Sequence, residues 1–186
     1  MCTMKYLKIH LSGVLQYFSS KQSTTLRDTY TTDYYPTKRA VFGLIGSAMG
    51  FERGNAEQQA YLRDNLIVKY KSLNDNFSVL EEIQTVRPLR SQQNYMNKHY
   101  KRNRFRTVVG DMKDDGILKK VQYLQDAEFE VYIGGDEKIL KQIYEALRNP
   151  VYALYIGKRS CVPNKPLVTE YKLIKEEDLE NVFDCA

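Results

Sequence analysis

Cations beside glycine, and cations interleaved with aromatic rings, are the combinations here that could do chemistry on a phosphate-bearing ligand. The first is Gly157-Lys158-Arg159-Ser160-Cys161, followed by Val162 and Pro163. A glycine turn of this kind can point successive N–H groups at an anion. It is not a Walker A loop, because Tyr152 stands where the first glycine belongs and Arg159 where Ser or Thr should follow the lysine. A plain surface turn is the alternative. The second is the block 87–106, which holds Arg87, Arg90, Lys98, Lys101, Arg102, Arg104 and Arg106 without one acidic residue. Tyr95, His99, Tyr100 and Phe105 are interleaved with them. Cations contact phosphates and aromatic faces stack on bases, the pairing expected for single-stranded nucleic acid; a solvated basic arm is the alternative.

For catalysis the best local candidates are His99, Tyr100 and Lys101, preceded by Lys98. A metal-independent ribonuclease needs a base, an acid and cations for the phosphorane charge. Those types are present, with no evident group to orient them. Acidic residues do not cluster as a two-metal site requires, and two histidines, His10 and His99, are too separated for most metal centres. No metal or cofactor is expected.

The third combination lies in residues 36–50. Pro36 can occupy a first helical turn, and Val41, Leu44, Ile45, Ala48 and Met49 then recur at helical spacing. Gly43, Gly46 and Gly50 fall on a neighbouring stripe, with Arg39 at its N-terminal end. A glycine inside a helix costs about 1 kcal/mol against alanine, so something should require each one. That is either close packing or a backbone surface for a phosphodiester chain or a partner, with the helix N-terminus adding positive charge.

The elements that must position these residues are soluble in character. The chain has 186 residues and a net charge of +5, enough for one domain with a real core. No run of about 18 apolar residues occurs, and the N-terminus enters a strand pattern without a signal-peptide core; the expectation is a cytoplasmic protein that does not engage a membrane. Cys2, Cys161 and Cys185 are odd in number and far apart, which argues against a disulfide framework. Residues 5–11 alternate as a half-buried strand, and residues 12–35 read as a long polar loop. After the glycine helix come a short helix at 56–64 and a strand at 66–70. A clear strand at 127–133 follows the basic block, then a helix N-capped by Asp136 and ended by Asn149-Pro150. Residues 151–156 read as the last strand. The order is βαββαβ with an insertion between the second and third strands, so the expected class is α+β, ferredoxin-like or RRM-like. The insertion is expected at about 75–123 and a short C-terminal extension at 164–186, all within one domain, 1–186.

Four blocks taken together resemble the type I-E CRISPR-associated Cascade subunits of the Cas-five (CasD) family. They are 11–17 (Leu11-Ser12-Gly13-Val14-Leu15-Gln16-Tyr17), 35–46 (Tyr35-Pro36-Thr37-Lys38-Arg39 through Gly43 and Gly46), 123–131 (Tyr123-Leu124-Gln125-Asp126 through Val131), and 155–161, ending in the glycine–cation loop. The segment 83–86 sits where the family has a comparable short motif. The resemblance implies a non-catalytic subunit that holds the 5′ handle of mature CRISPR RNA. It would cap the backbone filament, contact the adjacent backbone subunit and the large subunit, and meet target DNA through the complex. It also implies that the inserted segment is a β-hairpin thumb on a ferredoxin-like palm. Carried over by position, the handle-facing candidates are Ser12, Gly13, Gln16 and Tyr17; Pro36, Thr37, Lys38, Arg39, Gly43 and Gly46; and Gly157, Lys158, Arg159, Ser160 and Cys161. Tyr17 stands where tryptophan is common and would keep a stacking surface. Lys101, Arg102, Arg104 and Arg106 join them on charge alone. An endoribonuclease processing precursor CRISPR RNA, and a purely structural cap, are the rival functions.

Overall fold

The computed structural model describes residues 4–20, 29–52, 54–86, 105–106, 112–113 and 117–184. The fold is mixed α+β and divides into two compact units. The larger comprises Met1–Ser19, Thr32–Leu80 and Tyr123–Ala186; the smaller comprises Ser20–Thr31 and Glu81–Gln122.

In the larger unit, strands β1 (Lys5–Ser12), β4 (Ile67–Ser72), β9 (Glu128–Gly135) and β10 (Leu173–Lys175) form one sheet in the order β10-β1-β9-β4. Every pair is antiparallel; Ile9 lies opposite Val131, Lys69 opposite Tyr132 and Tyr6 opposite Ile174. Alternation assigns the faces. Leu7, Ile9, Leu11, Phe129, Val131 and Ile133 are buried together on one face. Helix α3 (Glu137–Arg148) packs on β1 and β9 through buried Leu140, Ile143 and Leu147, and α1 (Lys38–Ala48) packs on α3 and on α2 (Ala56–Asn65). On the opposite face Tyr6 and Tyr132 are covered by Leu179 and Phe183 of α4 (Glu176–Asp184), with Met4 and Ile174 around them. Burying each of these large side chains contributes about 1.5–3 kcal/mol.

Local chemistry sets the helix starts. Thr37 caps α1, its hydroxyl accepting from the Ala40 N–H, Asn55 caps α2 by accepting from Gln58, and Asp136 caps α3 by accepting from Lys138.

Two expectations need correction. Residues 151–156 form no strand: the Val151 and Tyr152 N–H groups donate to the Ala48 and Ser47 carbonyls at the end of α1. The pattern was apolar, but these backbone groups are satisfied by a helix terminus instead of a ladder. The fourth strand of the sheet is β10, inside the expected C-terminal extension. The polar stretch 12–35 also contains β2 (Leu15–Gln16) and β3 (Thr29–Tyr30). β2 lies opposite Gln125 and Leu124 at the end of β8 (Ile117–Gln125).

In the smaller unit β3 runs parallel to β8, Tyr30 opposite Val121, and β5 (Ser78–Val86) also pairs with β8. Lys120 meets Glu81 at 3.3 Å, and the Lys119 ammonium lies 5.2 Å from the Tyr30 ring centroid. β6 (Phe105–Arg106) pairs antiparallel with β7 (Met112–Lys113). His99, Tyr100, Lys101, Arg102 and Arg104 lie outside the described residues; Arg106 lies in β6.

Candidate nucleic-acid interface

The three helix glycines turn out to have three different roles. Gly50, with φ +78°, stops α1: its N–H donates to Ser47 O and that of Phe51 to Gly46 O, closing a Schellman motif. Gly46 is buried, and a Cβ there would lie 3.1 Å from Gln59 Nε2 and 3.4 Å from Phe51 Cδ2, a close fit to which those side chains would have to yield. Gly43 is exposed, and a Cβ built on it would meet nothing within 4 Å. Nothing among the described residues requires glycine at that position.

Gly43 stands between Arg39 and Ser47, four residues either way, so the three share an exposed stripe. Two adjoining depressions share that stripe. One, of about 360 Å³, runs from Tyr17 and Thr37 to Gly157; the other, of about 1380 Å³, adds Lys38, Arg63, Tyr152 and Arg159. The first turn of α1 contains no acid, and Lys38 and Arg39 are both exposed there. Cations at a helix N-terminus oppose the helix dipole, each by about 0.3–1 kcal/mol. Among the described residues lining the larger depression the acidic one is Glu52, and no ion pair compensates Lys38, Arg39 or Arg159.

The glycine–cation loop is a wall of this site. Tyr17 N–H donates to Ile156 O at 3.0 Å and Asn164 N–H to Ser12 O at 2.9 Å, tying residues 12–17 to residues 156–164. Gly157 has φ +97°, and a Cβ there would lie 1.8 Å from Tyr17 O. Within the loop, Cys161 N–H donates to Lys158 O and Ile156 N–H to Cys161 O. The Lys158 ammonium sits 4.1 Å from the Tyr17 ring centroid and 5.5 Å from that of Tyr123, with the two rings edge to face at 6.2 Å. Such contacts contribute about 0.5–2 kcal/mol, more when desolvated.

The sequence-derived candidates therefore separate. Thr37, Lys38, Arg39, Gly43, Gly157, Lys158, Arg159 and Ser160 reach the surface. Others are buried, because packing that the sequence does not display encloses them. Gln16 is fully buried and donates to the Ala127 carbonyl. Ser12 is buried and donates to Glu128. Gly13 is buried where a Cβ would press to 2.8 Å from Val162 O. Cys161 is fully buried, and that burial pushes its thiol pKa up. Pro36 and Gly46 are buried as well. Tyr17 is largely buried, with the Lys158 ammonium over its ring. Sequence reasoning missed Tyr152, Tyr155 and Arg63, which line the larger depression; the aromatic-rich run before Gly157 was the available signal.

Among the described residues no group of three His, Cys, Asp or Glu side chains could hold a metal ion, and no helix is long and apolar enough to cross a membrane.

Residues 6–184 match the family model described as CRISPR-associated protein (Cas_Cas5). The chain is similar to the CRISPR system Cascade subunit CasD of Escherichia coli (strain K12), at 25% identity over 172 residues, covering 87% of this chain and 69% of that protein. Its fold resembles a chain of a solved CRISPR RNA-guided surveillance complex, with a TM-score of 0.71 at 22% identity over 95% of this chain and 67% of that one. It also resembles a solved structure described as a Cas protein, with a TM-score of 0.57 at 25% identity, covering 94% and 69%. With the family model matched over nearly its whole length, this chain belongs to the Cas5 family of CRISPR-associated proteins.

Proposed function

We propose that this chain is a non-catalytic subunit of a CRISPR RNA-guided surveillance complex, holding the repeat-derived 5′ handle of the CRISPR RNA. On this reading the β10-β1-β9-β4 sheet with its helices is a ferredoxin-like palm and the inserted segment a thumb. The protein acts in the cytoplasm, capping the backbone filament beside the large subunit. Kinship with a Cascade subunit and the fold of a surveillance-complex chain support it.

The observation that carries the proposal is the start of α1. Uncompensated Lys38 and Arg39 sit at the positive helix end, beside Gly43, which nothing in the described chain obliges to be glycine. A phosphodiester backbone accounts for both features: its charge pairs with the cations and the helix N–H groups, and its bulk requires the missing Cβ.

The test uses the purified protein, labelled handle-bearing RNA and precursor repeat RNA, with EDTA present. Salt-sensitive binding of the handle and uncut precursor are expected. Gly43→Ala should raise stability by about 0.5–1 kcal/mol, whereas Gly43→Leu should weaken handle binding about tenfold. Metal-independent cleavage of the repeat would instead make the protein a processing nuclease. Weak binding that does not change with salt would make it a structural cap.

A further inference from the structure

Immediately before α1 lies an aromatic surface that the groove just described does not include. Tyr34, Tyr35 and Tyr70 are 59%, 46% and 39% exposed. They are nevertheless held firmly. The Tyr35 and Tyr70 rings stack at 5.3 Å with 21° between planes, and Tyr35 also meets Phe129 edge-on at 6.3 Å. Phe129 is fully buried in the sheet, and Phe77 packs against it at 6.1 Å and against Tyr34 at 6.3 Å. Buried Pro36 follows directly, so the exposed rings are anchored from beneath and fixed in direction.

Folding does not need so much ring surface in water, and contiguous exposed patches of this kind mark binding sites. The chemistry of the surroundings selects the occupant. The rings are flat and end in hydroxyls, and Lys38 and Arg39 follow Tyr35 by three and four residues at an acid-free helix start. An apolar protein side chain would use the rings and leave both cations without a counter-ion. An unstacked base with its phosphates uses both.

We propose that the Tyr35–Tyr70 pair is a nucleobase-stacking platform that extends the α1 track and receives a splayed base of the bound single strand. The proposal rests on the handle-binding reading above. Base–aromatic stacking is largely indifferent to base identity and weakly dependent on salt, so this platform should add affinity without adding to the salt slope.

The experiment uses handle-bearing RNA carrying 2-aminopurine at each position in turn, with affinity and fluorescence quenching both recorded. The wild-type protein should quench one position. Tyr35→Leu should abolish that quench and lower affinity about tenfold with an unchanged salt slope, while Tyr35→Phe should retain both. Tyr70→Leu repeats the test on the other ring, and a cooperative melt shows that each variant is folded. Wild-type affinity and quenching in both leucine variants would overturn the platform while leaving handle binding intact. So would leucine variants that bind RNA normally yet fail to associate with the other complex subunits, which would make the patch a protein contact. Failure of the wild-type protein itself to bind the RNA would overturn the handle reading first and the platform with it.

Discussion

The larger unit carries two charged surfaces built from the same residue types and arranged in opposite ways. On the face of the sheet that α4 covers, cations have their own carboxylates: Lys8 with Glu130 at 2.8 Å, Lys165 with Glu128 at 3.2 Å and Lys69 with Glu176 at 3.8 Å; at the start of α3, Lys5 likewise meets Glu137 at 2.6 Å. His10 lies 3.6 Å from Glu128 as well. At the start of α1, Lys38 and Arg39 have no such partner among the described residues. Surface pairs of the first kind contribute little, typically 0–1 kcal/mol, but they leave no net field for a ligand. The second arrangement stabilises nothing within the chain, and its charge remains available to an external anion. Positive residues are spread across both surfaces; only the placement of carboxylates tells them apart.

The comparison can be broken most severely at the scaffold. Gly157→Ala would drive a methyl group into the Tyr17 carbonyl at a positive φ, and should cost at least about 3 kcal/mol of stability. Lys8→Ala, which removes a surface pair, should cost under about 1 kcal/mol. Denaturant midpoints measure both, and similar losses would mean that the loop is not the rigid wall described. A second contrast concerns RNA. Neutralising Lys38 or Arg39 with alanine should each lower handle affinity about tenfold and flatten the log–log salt slope by about 0.7. Lys8→Ala should change neither. Equal effects at the two surfaces would erase the distinction.

The smallest effect is a pH dependence confined to the paired face. The Ser12 hydroxyl and then the Lys165 ammonium hold the Glu128 carboxyl below its ordinary pKa. For Glu130 burial works in the opposite direction, but hydrogen bonds from Lys8 and Tyr132 outweigh it and the pKa is again lowered. The unfolded chain therefore binds protons first as acid is added. The stabilisation is complete above the ordinary glutamate range, near pH 4.3, and is lost as pH falls through the lower folded values. Melting temperatures from pH 7 to pH 3 should show this, and Glu128→Gln with Glu130→Gln should flatten the acid limb. An unchanged limb would remove these carboxylates from the account.

What the sequence displays is what local chemistry decides. β1, β9, α1 and α3 were legible because alternation, helical spacing and the Asp136 cap are each contained within a few residues. β10 was not, since three residues cannot show a period; the acidic run Glu176-Glu177-Asp178 at the start of α4 is the local signal of the helix that follows it. Residues 151–156 misled because an apolar run looks the same whether it joins a sheet or closes a helix end. At the site, Lys38, Arg39 and Arg159 could be found from type and spacing. The burial of Gln16 and Cys161 could not, since it is set by contact between segments about 140 residues apart in sequence.

That separation also orders events during synthesis. β1 is made first, yet both strands that flank it, β9 and β10, come from the last third of the chain. At about 5–20 residues per second, a ribosome needs roughly ten to thirty seconds between delivering Leu7 and delivering Leu173 opposite it. Until Ile133 of β9 arrives opposite Leu7, after roughly six to twenty-five seconds at that pace, β1 has neither neighbour and Leu7, Ile9 and Leu11 are uncovered; the loop that completes the wall beside α1 is made later still. The cradle is thus available only to a finished polypeptide, and interrupted translation products would display a sticky strand in place of a binding site.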